Sequence, residues 1–128
     1  MESVIVVTPG EYDANFKSRL ELIGPVDVME GGGLVLDDGL SRIYITRNNN
    51  ATAELEPERL AHIRAMIQIP IFYSVDFTDV ALCRRVIEAI ADDPNLVVDN
   101  DRGVVLPGSR FVELLRSRQD WDWRLDQS

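Results

Sequence analysis

The sequence predicts an α+β fold: a mixed, largely antiparallel sheet with about four helices packed on it, in a single domain. Three observations carry this. β-Branched runs of strand length stand at Val4–Val7, Ile71–Phe77, Leu96–Val98 and Val104–Leu106. Apolar stripes at helical spacing lie between them, and Asp-Gly turn chemistry joins neighbouring runs as hairpins rather than crossovers alone.

Val4–Val7 is a buried strand closed by Thr8-Pro9-Gly10. Tyr12, Phe16, Leu20 and Ile23 then recur at spacings of four, four and three, which is one face of a helix within Glu11–Ile23. Gly24-Pro25 stops it, as glycine followed by proline does at helix C-termini. Val26–Met29 reads as a short strand, and Gly31-Gly32-Gly33 breaks the chain before the next. Leu34–Leu36 and Leu40–Arg47 flank Asp37-Asp38-Gly39, the sequence of a hairpin. On its second arm Ile43 and Ile45 point inward while Arg42, Tyr44 and Thr46 point outward, so one face of this hairpin is solvated or bound.

Asn48–Asn50 and Glu54–Glu58 form the most polar link, expected to be a mobile loop. Pro57 opens a helix whose stripe is Leu60, Ile63, Met66 and Ile67. Pro70 ends it, and Ile71–Phe77 is a strand that meets Asp76 and Asp79 at its end. Val80, Cys83, Val86, Ile87 and Ile90 mark the clearest helix, running to Asp92-Asp93-Pro94. Leu96–Val98, the turn Asp99–Gly103 and Val104–Leu106 make a second hairpin. Pro107-Gly108-Ser109 leads into a last helix with Phe111, Leu114 and Leu115 on one side.

A chain of 128 residues fits one domain, and 45% hydrophobic with 27% charged residues is ample to bury a core. The net charge is −9. Both halves of the chain are acidic, so the charge belongs to the folded body and not to a tail. That balance argues against an unassisted grip on nucleic acid or on an anionic membrane. Cys83 is the single cysteine, which excludes an intramolecular disulfide. The acidic start Met-Glu-Ser followed by a four-residue apolar run fits neither a signal peptide nor a membrane span, and a cytoplasmic location is expected.

No motif announces catalysis. Gly31–Gly33 lacks the Lys-Ser/Thr of a phosphate loop and the spacing of a dinucleotide fingerprint, and reads as a turn. Metal binding is not expected: His62 is the only histidine, Cys83 the only thiol, and both fall on helices as surface and core residues. Asp99-Asn100-Asp101 begins like a calcium loop but has strands for flanks and no closing Glu, so a hairpin turn is the stronger reading. The carboxylate pairs Asp37/Asp38, Asp76/Asp79, Asp92/Asp93 and Asp120/Asp122 are as many as 22 acids produce without a function.

Three features remain as candidate partner-binding elements. Trp121 and Trp123 alternate with Asp120, Asp122 and Arg124, which puts both indoles on one side if the tail is extended. The alternative is that the tail folds back and both rings cap the core. The outward Tyr44 and Arg42 are the second feature, and the turn carrying Asp99 and Asp101 is the third.

Phe72-Tyr73-Ser74-Val75-Asp76-Phe77, the helix to Ala91-Asp92-Asp93, and the run from Leu96 through Asp99-Asn100-Asp101-Arg102-Gly103 and Val104 to Pro107-Gly108 and Phe111 resemble small bacterial immunity proteins of polymorphic or contact-dependent toxin systems. The likeness spans about a third of the chain, Ile71–Leu115. Lys17, the single lysine among 13 cations, fits a GC-rich bacterial coding sequence. The resemblance implies a cytoplasmic, non-enzymatic protein that binds a cognate toxin domain and occludes its active site, without a cofactor. Toxins acting on nucleic acids carry basic clefts, and an acidic domain competes for such a cleft with fast association. Two other readings stand beside it: a small-molecule-binding regulatory domain with its ligand near Gly31–Gly33, and an enzyme using Asp76/Asp79 with His62.

Overall fold

The computed structural model describes residues 1–125. Seven strands form one sheet: β1 (Glu2–Thr8), β2 (Val26–Val28), β3 (Leu34–Asp37), β4 (Arg42–Arg47), β5 (Ile71–Phe77), β6 (Val97–Asp99) and β7 (Val105–Pro107). Five helices intervene: α1 (Asp13–Leu20), α2 (Ala51–Glu54), α3 (Pro57–Met66), α4 (Val80–Ile90) and α5 (Gly108–Ser117). The spatial order is β2-β3-β4-β5-β1-β6-β7, and every neighbouring pair is antiparallel. The sheet is therefore not mixed. Strands β5 and β6 are joined through α4 and run in the same direction, but β1 lies between them and opposes both. A crossover that skips a strand leaves no parallel neighbours.

The two longest strands, β1 and β5, pair over their full length from Glu2 against Phe77 to Thr8 against Ile71. Their alternation sorts side chains between two faces. Val4, Val6, Tyr73, Val75 and Phe77 meet α1, α4 and α5 in the main core, which also takes Leu36 and Ile43 from the hairpin. The packing of α4 follows from its stripe: Leu82, Cys83, Val86, Ile87 and Ile90 are all buried. Asp79 caps this helix, its Oδ1 accepting from the Leu82 N–H at 3.2 Å. Burial pushes the Cys83 thiol up, so it stays protonated as a small core residue.

Val7, Phe72 and Val97 point the other way and meet Ala51, Ile63 and Ile67 in a smaller cluster. Only part of this second face is covered. The polar link expected as a loop contains α2, whose Ala51 is buried against the sheet. The expected stripe of α3 holds at Ile63 and Ile67, but Met66 is 38% exposed: with the helix on an outer flank of the sheet, only the narrow Leu60–Ile63–Ile67 line reaches apolar partners.

Gly31, Gly32 and Gly33 all adopt positive φ and close the β2–β3 turn, with nothing within 4 Å of a Cβ added at Gly31 or Gly32. Gly33 is tighter, since a Cβ there would lie 2.7 Å from the Met29 side chain. Gly108 is tight for a different reason. A Cβ there would lie 2.1 Å from the Ala91 carbonyl oxygen and 2.9 Å from that of Asp93.

Gly108→Ala is expected to lose about 2–4 kcal/mol of stability, because backbone must move to admit the methyl group. Gly10→Ala, with open space around its Cβ, should change stability by less than about 1 kcal/mol. Urea melts of the two variants check this pair.

Candidate functional site

The uncovered part of the second face is the candidate site. Strand alternation places Ser3 and Ile5 of β1, Ser74 and Asp76 of β5, and Tyr44 and Thr46 of β4 there, in register: Ser3 opposes Asp76, Asp76 opposes Tyr44, and Ser74 opposes Ile5 and Thr46. Ser3 Oγ donates to Asp76 Oδ1 at 2.5 Å and Ser74 Oγ donates to the same oxygen at 2.8 Å. A groove of 330 Å³ runs beside this trio. Ser3 and Ser74 of the trio line it together with Ile5, Phe72, Ala51, Leu55, Glu54, Arg59 and Asp101, while Asp76 lies outside its lining. Asn48 Nδ2 donates to Glu54 Oε2 at 3.3 Å across its rim.

Arg59 is the organising cation of this face. Its Nε and Nη2 donate to the two oxygens of Asp99 at 2.7 and 3.0 Å, and Nη2 also donates to Asp101 Oδ1 at 2.8 Å. Bonding to Asp99 above all holds the guanidinium pKa above its ordinary value. The Asp99 side chain is fully buried beneath this fork, whereas that of Asp101 is half exposed. Asp101 has φ of 62°, and its N–H donates to Asp99 Oδ1 at 2.8 Å, so one carboxylate both shapes the turn and seats the arginine.

The candidate partner-binding residues therefore separate. Asp99 cannot touch a partner; it was expected on an exposed turn and instead lies under Arg59, a residue 40 positions away that local turn chemistry does not reveal. Asp101 remains accessible beside the groove. Tyr44 is half-buried on the open face, and Arg42 is exposed and paired with Asp37 at 3.0 Å. Asp37 and Asp38 are held below the usual carboxylate range, chiefly by the N–H groups of Gly39 and Ser41 respectively.

The tail is not extended. Trp123 is fully buried, its ring 6.1 Å from Phe77 and 6.3 Å from Phe111, with the Arg84 guanidinium 6.0 Å from its centroid. Trp121 is half-buried and packs on Phe111 at 5.2 Å. Of the two alternatives for this segment the folded-back one holds: the turn at Asp120 lays the indoles on the core, and Trp123 is not available to a partner. Arg84 donates to the Trp121 and Leu115 carbonyls at 2.7 Å each, and Asn100 Nδ2 donates to the Trp123 carbonyl at 2.7 Å. Asp122 pairs with Arg124 at 2.6 Å, and Arg124 reaches Glu2 of β1 at 2.8 Å. Asp120 alone of this group is exposed.

Sequence reasoning passed over Ser3, Ser74, Glu54 and Arg59, and took Asp76 only as a member of a carboxylate pair with Asp79. The signal for Ser74 and Asp76 was present: they alternate with buried Tyr73, Val75 and Phe77. Asp79 belongs elsewhere, as the α4 cap and the acceptor of Ser41 Oγ at 3.2 Å. His62 is exposed on α3. Among the described residues no three His, Cys, Asp or Glu side chains converge as metal ligands, and no helix is long and apolar enough to cross a membrane. The chain matches no family model, no curated protein and no solved structure.

Asp99→Asn is expected to cost about 3–5 kcal/mol, since it breaks a buried pair while leaving Arg59 in place. Asp101→Asn should cost no more than about 1 kcal/mol, as exposed pairs do. Chemical denaturation of both variants tests the difference.

The Arg124 bonds lower the Asp122 pKa below its ordinary 3.8. A depressed folded pKa stabilises the fold above the unfolded value and loses that contribution as pH falls through the folded one. Tryptophan fluorescence should therefore report loosening of the tail from about pH 4 downward. Arg124→Gln is expected to flatten the acid limb of that curve.

Proposed function

We propose that this chain is an immunity-type inhibitor that binds a cognate bacterial toxin domain and occludes its active site, with the open part of the second sheet face as its docking surface. One observation carries this reading: a polar, registered array on the two central strands is left uncovered, and the cation beside it, Arg59, is already neutralised by Asp99 and Asp101. Around it a chain of net charge −9 presents excess carboxylate. Such a surface attracts a basic cleft from a distance and fixes orientation on contact. Tyr44, Asp101 and Glu54 supply an aromatic and two carboxylates at the margin, in keeping with an interface that has a polar rim. The cytoplasm, where a toxin entering or being made in the cell must be met, is the compartment this role requires. The reading needs no catalytic group.

A second reading, a small-molecule-binding regulatory domain, rests on the groove itself. Its 330 Å³ falls at the lower end of the roughly 300–1,000 Å³ typical of ligand pockets. Stabilisation of the isolated protein by a metabolite, with no protein partner, favours that role.

The test of the main reading is a search for a toxin domain encoded next to its gene, followed by co-expression of the two. The expected result is restored growth and a complex whose association rate falls at least about tenfold when salt is raised from low to near-molar concentration. Continued killing with no complex formed overturns it.

A further inference from the structure

We propose that the free edge of β2 takes up an extended segment of a protein partner as a further antiparallel strand, with a cation of that segment set against Asp27. The edge borders the open sheet face but is separate from the groove, so this inference goes beyond the inhibitor reading and stands or fails apart from it.

Ladder geometry shows what the edge offers. The Met29 N–H donates to the Gly33 carbonyl at 2.9 Å and the Asp37 N–H to the Pro25 carbonyl at 3.2 Å. Between them, β2 and β3 pair Val26 with Leu36, Asp27 with Val35 and Val28 with Leu34. Hydrogen-bonded and non-bonded pairs alternate in an antiparallel ladder, so Asp27 exchanges its bonds with Val35. The N–H and C=O groups of Val26 and Val28 therefore point away from β3, and β2 is the terminal strand on that side. Gly24 adds no donor to this row, because its N–H is given to the Leu20 carbonyl at 3.2 Å. The opposite edge is different. The Gly108 N–H bonds the Leu96 carbonyl and the Asn100 N–H bonds that of Val104, which leaves Val105 and Pro107 as the outward residues of β7. Proline has no N–H, and α5 begins at the next residue. One edge is blunted, and the other keeps two residues with both donor and acceptor free.

Side chains select the occupant. Val26 and Val28 lie on the face of Leu34 and Leu36, yet Val28 is 62% exposed against 6% for Leu34, so apolar residues opposite the two valines continue the core face. Asp27 lies on the other face, in a cross-strand row with Val35, Tyr44, Asp76 and Ser3. It is exposed and in none of the ion pairs among the described residues. A residue added opposite it forms a non-hydrogen-bonded pair with Cβ atoms about 4.5–5.5 Å apart, within reach of Arg or Lys. A second copy of this chain fits poorly, since the two-fold register that joins Val26 to Val28 sets Asp27 against Asp27. The occupant is an apolar–basic–apolar strand of another protein.

The probe is the peptide acetyl-Thr-Val-Arg-Val-Thr-amide, titrated into the isotopically labelled full chain and followed by NMR. Saturable shifts centred on Val26, Asp27 and Val28 are expected, with a dissociation constant of about 0.1–1 mM, and with slowed amide exchange at Val26 and Val28. The same peptide N-methylated at both valines should not saturate, because it lacks the donors that meet the edge carbonyls. A glutamate in place of the arginine should weaken binding several-fold. Val28→Pro removes an outward N–H that β3 does not use, and is expected to keep the fold and lose about tenfold in affinity. Asp27→Lys provides an independent variant, which should reverse the preference and favour the glutamate peptide. Equal binding of the N-methylated peptide, shifts spread over the acidic surface, no saturation, or unchanged affinities in both variants overturns the proposal. Protection of Val26 and Val28 that grows with protein concentration in the absence of peptide assigns the edge to a second copy and overturns it as well. No toxin takes part, so a failed titration leaves the inhibitor reading standing, and a failed rescue leaves the edge result standing.

Discussion

The pairing of β1 with β5 is the constraint from which the rest follows. These two strands pair over seven registered positions at the centre of the sheet. A period of two then dictates that what is apolar on one face is matched by different chemistry on the other. Val4, Val6, Val75 and Phe77 commit one face to α1, α4 and α5, and that commitment aims Ser3, Ser74 and Asp76 at the opposite face. Since α3 covers only the Val7–Phe72–Val97 end, the serine and aspartate end stays open. The candidate site is the consequence of covering one face completely and the other in part.

Trp121 and Trp123 close the main core. Trp123 fills the space between Phe77 and Phe111, and its main chain is tied down by Asn100 while that of Trp121 is tied by Arg84. The Trp123 indole Nε1 is buried without a hydrogen-bond partner among the described residues, a cost of about 1–3 kcal/mol that burial of so large a ring offsets. Asp122 in this segment is matched by Arg124 within the chain, whereas Glu54 on the wall of the groove is in none of the ion pairs among the described residues. Charge alone does not mark a surface; charge left without an internal counterion does.

The fold was legible where signals were local. Strand alternation in Ile71–Phe77, the stripe of α4, the Asp-Gly hairpin and the glycine and proline stops needed only a few residues of context, and each stands where the sequence reading put it. The arrangement of strands in space was harder. The segment Leu96–Val98 reads as a hairpin arm, but nothing local says that the strand, Val97–Asp99 in the structure, lies beside β1 rather than β5. The site was legible by half, for the same reason. Tyr44 and Arg42 fell on the outward side of their strand as alternation requires. Asp99 reads as exposed and Trp123 as either core or interface, because their burial depends on Arg59, Arg84 and Asn100, which approach from distant parts of the chain. An alternating Trp-Asp-Trp-Arg segment looks the same whether it lies in solvent or is folded onto a core.

The most direct measurement of the central claim, that the open sheet face is the docking surface, is hydroxyl-radical footprinting of the protein alone and in complex with the protein partner that it captures in a pull-down. Tyr44, Leu55 and Ile5 should lose labelling on complex formation, while the exposed Leu22, Leu40 and Ile69 outside the groove keep theirs. Protection confined to α1, α4 and α5, with Tyr44 and Leu55 labelled as in the free protein, would contradict the account.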